Sequence, residues 1–302
     1  MVAIRLRDLF AVVMMFGIYS FVAALLFLVL DAVDVAFTEA AVGAGVTMVL
    51  MLSTLHLTER YEQASLRRSR IALIIVTLTG GALIYGTLDF PRLGSADAPA
   101  QQHIAPEYLK QTPEQIGIPN VVTAVLASYR GYDTLGETVV IFSACIAVML
   151  VFGSARDEDE DEPEPNLVLR VVVKQLIPLI LLFALYVQLH GDFGAGGGFQ
   201  AGVIFASGFI LYSLVFGLAS AHRALPASWL PRLASLGVLL FGGTGLVSIA
   251  YGSAFLDYNT LAANPVSGQH LGIILVEAGV GLTVFATVLV IYYALSGRQR
   301  SS

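Results

Sequence analysis

The chain has 302 residues, of which 57% are hydrophobic and only 13% charged, with a mean hydropathy of +0.79. A soluble domain usually carries about 25% charged and about 45–50% apolar residues. This balance excludes a soluble globular enzyme, a disordered chain and a secreted disulfide scaffold, and predicts an all-α, polytopic membrane protein. The formal net charge of −6 is local: Asp157, Glu158, Asp159, Glu160, Asp161, Glu162 and Glu164 form one run, and without them fifteen acids face sixteen bases. A single cysteine, Cys145, permits no internal disulfide, and no basic, aromatic-laced cluster suggests a nucleic-acid surface. Arg5 and Arg7 precede an apolar run from Leu9 to Leu30, longer than a signal-peptide core and without an Ala-x-Ala site behind it.

In chain order, apolar stretches of spanning length predict eight transmembrane helices at about 9–30, 35–57, 71–88, 136–153, 171–189, 199–221, 233–252 and 271–293. With the N-terminus inside, thirteen Lys and Arg fall in inner segments and three (Arg92, Lys110, Arg130) in outer ones. That asymmetry predicts cytoplasmic termini. A piece between 116 and 128 reads as a re-entrant or interfacial helix, and the outer segment 89–119, rich in Pro, Gln and Ala, as an irregular cap. An acidic cytoplasmic linker at 156–166 separates four spans from four. The units are then 1–70, 71–155, the linker, and 167–302.

Carboxylates inside spans are expensive and mark either ion pathways or polar packing. Glu39 sits among Ala36, Ala40, Gly43 and Gly45, small residues that let helices approach. It reads as a proton or cation group, or as a protonated Glu bridging helices. Asp34, nearer the outer surface than Glu39, suits a vestibule or a turn, as does Asp31. Asp133 and Glu137 lie four residues apart at the start of the fourth span. They form an acidic pair whose mutual repulsion holds a proton or recruits a cation, or they cap and stabilise a helix N-terminus. Glu277 lies well inside the last span, with His270 seven residues earlier on roughly the same face, which suggests a proton path or interhelical glue. Lys174, beside Gln175 and ahead of Pro178, either snorkels or pairs with an acid. His56 is a relay or an interfacial histidine.

The segment Leu189–Gly208 is glycine-rich but lacks the Gly-Lys-Ser/Thr of a phosphate loop. It reads as a tight turn carrying His190 and Asp192, which brace it or move protons. The five histidines (His56, His103, His190, His222, His270) are scattered, so neither a metal cluster nor a cofactor follows, and nothing resembles a nucleophilic triad.

Leu189-His190-Gly191-Asp192-Phe193, followed by Gly196-Gly197-Gly198-Phe199-Gln200 and Gly202, resembles the MnhB/MrpB component of the multisubunit Mrp-type sodium/proton antiporters across about 167–295. Asp34-Val35-Ala36 with Thr38-Glu39-Ala40-Ala41-Val42-Gly43 resembles the MbhD type of hydrogenase-related membrane module. Val122–Leu126, Tyr129-Arg130 and Asp133–Thr138 resemble the MbhE type. In many relatives these two modules end the large A-type component of the antiporter; here they precede the MnhB-like region.

The resemblance implies a non-enzymatic bacterial inner-membrane component, unable to transport alone, in an assembly exchanging cytoplasmic Na+ for external H+. Its implied partners are large A- and D-like proton-pumping subunits and small C-, E-, F- and G-like subunits. Glu39 and Glu137 align with acidic positions of the family's ion path, as transient Na+ ligands at most. Together with Asp34 they line the expected route, while Glu277, His190 and His270 belong to a second, MnhB-like region. The other reading is a structural membrane subunit of a hydrogenase-like or other redox-linked complex.

Overall fold

The computed structural model describes residues 5–63, 66–92, 94–153 and 167–297; the acidic linker lies outside them. Among these residues all regular elements are helical, apart from an isolated bridge between Asp8 and Tyr61.

The first helix, α1 (Leu9–Val29), begins at an Asp8 cap whose carboxylate accepts the Phe10 amide at 3.0 Å. Arg60 donates to the same carboxylate, with Nη2 2.8 Å from Oδ2, tying the start of α1 to the chain beyond the second crossing. That crossing is one interrupted helix: α2 (Val33–Ala41), a π turn (Val42–Val46) and α3 (Thr47–Leu57). It packs on the buried small residues Gly17, Ser20 and Ala24 of α1. In hydrocarbon, such surfaces replace the hydrophobic effect with close van der Waals contact.

Helix α4 (Leu66–Gly86) occupies the expected third span. Its apolar part, Arg70–Gly86, is shorter than the helices of crossing length, and side chains such as Leu78 and Ile84 are exposed. The segment expected to be an irregular cap is partly helical, with a π turn (Ala100–Ile104) running into α5 (Ala105–Gln115). Pro106 falls in the first turn of α5, where a missing amide donor costs nothing. The short helix expected between 116 and 128 is α6 (Val121–Thr123) continued by a π turn (Ala124–Tyr129), and α7 (Gly131–Phe152) follows after one residue.

After the linker come α8 (Leu167–His190) and α9 (Gly198–Phe216). The expected 199–221 span stops earlier, because Gly217 at φ 86° turns the chain into the short α10 (Leu218–Ala224). The last crossings are α11 (Leu230–Ala250) and α12 (Pro265–Ser296). Among the described residues, seven helices suit a membrane crossing by length and composition: α1, the α2–α3 unit, α7, α8, α9, α11 with the turn before it, and α12.

The centre of the molecule is α12. It packs against α9 and α11 from its own half and against α3 and α7 from the other. Glycines set the closest of these approaches. A Cβ at Gly202 would lie 2.5 Å from the Gly281 carbonyl oxygen, and Gly237 and Gly279 leave the same lack of space between α11 and α12.

Candidate functional site

The glycine-rich turn joins α8 to α9 and is held from outside by the first half of the chain. Asn120 caps α6 by accepting the Val122 amide at 2.9 Å, and its Nδ2 donates to the carbonyls of Gly191 (3.0 Å) and Gly194 (2.9 Å). The Asn120 amide donates to the Asp192 carbonyl at 3.0 Å, and Thr123 Oγ1 to the Gly191 carbonyl at 2.7 Å. Gly197, at φ 110°, has a conformation that side chains disfavour. At Gly196 a Cβ would press on the Val187 carbonyl at 2.7 Å. The sequence needs glycine here because the backbone must turn sharply and also let other groups come close.

Those groups are carboxylates. Asp34 Oδ1 of α2 accepts the Gly196 amide at 3.3 Å. The Glu277 carboxylate of α12 lies against the same turn: a Cβ on Gly191 would sit 2.9 and 3.0 Å from its two oxygens, and one on Gly197 3.0 Å from Oε1. Both acids therefore meet the N-terminal end of α9, whose unpaired amides carry partial positive charge. The charged neighbours acting on Glu277 are Asp192 and Asp34. Gln200 Nε2 donates to Thr38 Oγ1 at 2.9 Å, and that hydroxyl donates to the Asp34 carbonyl at 2.9 Å. A cleft of about 300 Å³ opens beside this group, lined by Asp34, Thr38, Glu137, Gly196, Gly197, Gly198, Phe199, Gln200 and Glu277.

Three expected site residues thus share one cleft: Asp34, Glu137 and Glu277. Others lie elsewhere. Glu39 folds back over Gly43 beside Ser20 of α1, next to the π turn, and is not among the cleft's lining residues. Of the expected Asp133–Glu137 pair, Asp133 is bound by Arg130, whose Nε lies 2.6 Å from Oδ2 on an exposed surface, while Glu137 faces the cleft. His270 does not point its first contact at Glu277: its Nδ1 lies 2.9 Å from Asp192 Oδ2. His190 stacks on Tyr186 with ring centroids 4.9 Å apart. Exposed Lys174 and Arg170 lie over the Phe216 ring, at 6.0 and 5.6 Å, away from the cleft. Gly202 belongs to the α9–α12 packing.

Sequence reasoning missed the Asn120 clamp and the Thr38–Gln200 link. Asn120 ahead of Val-Val-Thr does signal a helix cap, but the carbonyls its amide group binds lie some seventy residues away. Among the described residues, no group of three His, Cys, Asp or Glu is arranged to hold a metal ion. Glu39 and Glu137, both expected as transient Na+ ligands, are not brought together. The carboxylates of the cleft, with a histidine-paired acid beside them, are suited to taking up and releasing protons and, when ionised, to attracting a cation.

Comparison with known proteins divides the chain in three. Residues 168–290 match the "Domain related to MnhB subunit of Na+/H+ antiporter". Residues 1–60 match MbhD and residues 66–163 match MbhE, the D and E subunits of MBH. A relative from Rhizobium meliloti (strain 1021), described as a probable K(+)/H(+) antiporter A/B subunit, is 28% identical over 93% of this chain, which spans 31% of that relative's length. The "Putative antiporter subunit mnhB2" of Staphylococcus aureus (strain Newman) is 34% identical over 44% of this chain and 95% of its own length. Among solved structures, the Mrp complex from Dietzia sp. DQ12-45-1b contains a chain 27% identical to this one, with a TM-score of 0.76 over 99% of this chain and 34% of that chain. The membrane-bound sulfane sulfur reductase, an archaeal respiratory membrane complex, contains one 28% identical, with a TM-score of 0.51 over 76% of this chain and 95% of that chain.

Proposed function

The chain belongs to the family of MnhB-related antiporter subunits, and we propose that it is a membrane component of a multisubunit assembly that exchanges cytoplasmic Na+ for external H+. The observation carrying this reading is the convergence of Asp34, from the first half of the chain, and Glu277, from the second, on one glycine turn beside Glu137. A proton on one of these carboxylates neutralises it, and its loss restores an attractive cation site, so a few acids can couple two opposed fluxes. Glu39, half-buried between α1 and the π turn, contributes a separate acidic step of the same route. The partners are large A- and D-like subunits and small C-, E-, F- and G-like subunits. With α4 counted as an eighth crossing, both termini lie on the cytoplasmic side of a bacterial inner membrane, the side that the excess of Lys and Arg favours. A K+ path is the nearest variant, since the Rhizobium meliloti relative is named for K+.

The test is exchange in vesicles carrying the whole assembly. Glu277→Gln and Asp34→Asn should assemble normally yet lose roughly a hundredfold of Na+-dependent proton movement, the low end of what a positioned proton carrier contributes. Wild-type exchange in both variants would refute the reading. Replacing Na+ by K+ in the same vesicles identifies the cation.

A second reading is favoured by the two MBH matches and the respiratory complex: a structural membrane subunit of a redox-linked complex. It requires iron–sulfur or catalytic subunits in the gently purified assembly, identified by mass.

A further inference from the structure

We propose that Asp192 and His270 form a proton-loading pair that feeds Glu277 from the α8–α9 turn. The proposal rests on the antiporter reading and adds to it an acid from the turn and a direction of loading.

Asp192 is only 6% exposed. Its Oδ2 is bound to His270 Nδ1, whereas its Oδ1 is buried with no hydrogen-bond partner among the described residues. Three carbonyls of the same turn are engaged: Asn120 and Thr123 donate to those of Gly191, Asp192 and Gly194. A carboxylate placed only to brace the turn would have both oxygens capped, because an unmet buried acceptor is costly. An open carboxylate oxygen is instead where a proton can sit.

The surroundings give that proton an origin and a destination. The His270 side chain is 33% exposed on the surface of the chain, while Asp192 behind it is 7% exposed. Glu277 is seven residues further along α12, about 10 Å by helical rise, and its oxygens lie over Gly191, the residue before Asp192. The other titratable groups around this site are Asp34 on α2, Glu137 on α7 and His190, which is stacked on Tyr186. In the loading step, imidazolium Nδ1–H of His270 gives its proton to the Asp192 carboxylate, leaving neutral imidazole and a carboxylic acid whose proton the open Oδ1 can hold. Asp192 then releases one proton to the Glu277 carboxylate and returns to the anion. His270 is reprotonated from outer water, so one proton moves and no electron does.

Vesicles carrying the whole assembly distinguish this from a structural pair. Asp192→Asn keeps the shape and an oxygen for His270 but cannot carry a proton. It should assemble and lose at least about tenfold of exchange, with Asp192→Glu restoring part of the rate. His270→Gln should flatten the dependence of the exchange rate on pH. If Glu277→Gln abolishes exchange while Asp192→Asn and His270→Gln keep the wild-type rate and pH profile, the loading pair is overturned and the antiporter reading stands. If Glu277→Gln exchanges normally, the pair is overturned, and if Asp34→Asn does so too, the antiporter reading fails with it. Should Asp192→Asn not assemble, His270→Gln decides: an unchanged pH profile overturns the proposal.

Discussion

Gly198 and Gly242 look alike in the sequence, yet they sit in opposite surroundings. A Cβ at Gly198 would overlap the Glu277 carbonyl oxygen and press on Gly281, whereas one at Gly242 meets nothing within 4 Å. Gly198→Ala should therefore destabilise the solubilised assembly by about 1–3 kcal/mol, the usual cost of overpacking, and Gly242→Ala should leave it unchanged. Thermal unfolding of the two variants side by side checks this; equal melting would mean that α9 and α12 do not pack at these residues. At this scale the sequence was informative about residue types and silent about pairings. An acid among small residues signals Glu39 and Glu277, because lipid makes an unpaired charge expensive. Nothing in the spacing of Asp133 and Glu137 reveals that Arg130 takes the first and leaves the second to the cleft. Asp192 and Asn120 were equally opaque, since their partners lie roughly seventy to eighty residues away.

Helices were legible where hydropathy alone decides and less so where local chemistry does. The long apolar runs became α1, the α2–α3 unit, α7, α8, α9, α11 and α12. The break at Gly217, the early start of α7 at Gly131, and α5 inside a Pro- and Gln-rich stretch were not foreseen, because composition hides helices that are not apolar. The attachment of α1 is also a matter of local chemistry and carries a pH signature. Hydrogen bonding and charge from the Arg60 guanidinium hold the Asp8 carboxyl below its ordinary value of 3.8, and the same pair raises Arg60. A lowered carboxylate contributes its stabilisation fully above the unfolded value and loses it as pH falls through the folded one. The amides of Leu9 and Glu62, bonded to Arg60 and Arg7 carbonyls, report the attachment. Their hydrogen exchange should be slower in the wild type than in Asp8→Asn near pH 7, and the two should converge in acid, once pH has fallen through the lowered value of the folded Asp8. A difference that persists in acid would assign the attachment to the backbone bridge alone.

Across the whole molecule, the boundary at the acidic linker separates matched families without separating the fold. α12 contacts α3 and α7 from one side of the linker and α9 and α11 from the other, and Asn120 clamps the turn of the opposite half. Cutting the chain between 156 and 162 should therefore leave two fragments that copurify and support exchange within about twofold of the intact chain, since these contacts join the halves through residues outside the linker. Separation of the fragments in mild detergent would show that the tether holds the halves together. Composition and charge gave the membrane class and the two-part division. They could not give the interlocking, because small residues and one asparagine carry it and neither has a compositional signature.

The distance along α12 from His270 to Glu277 has an electrical meaning. Seven residues of helix rise about 10 Å, roughly a third of a 30 Å hydrocarbon core, so on a helix standing along the membrane normal a proton taken inward that far crosses about a third of the transmembrane voltage. At about 2.3 kcal/mol per charge per 100 mV for a full crossing, that is roughly 0.8 kcal/mol per 100 mV, or about a fourfold change in how often Glu277 is loaded. On the proposed loading route, the spacing of two side chains on one helix thus makes the occupancy of the inner acid a voltmeter for the membrane.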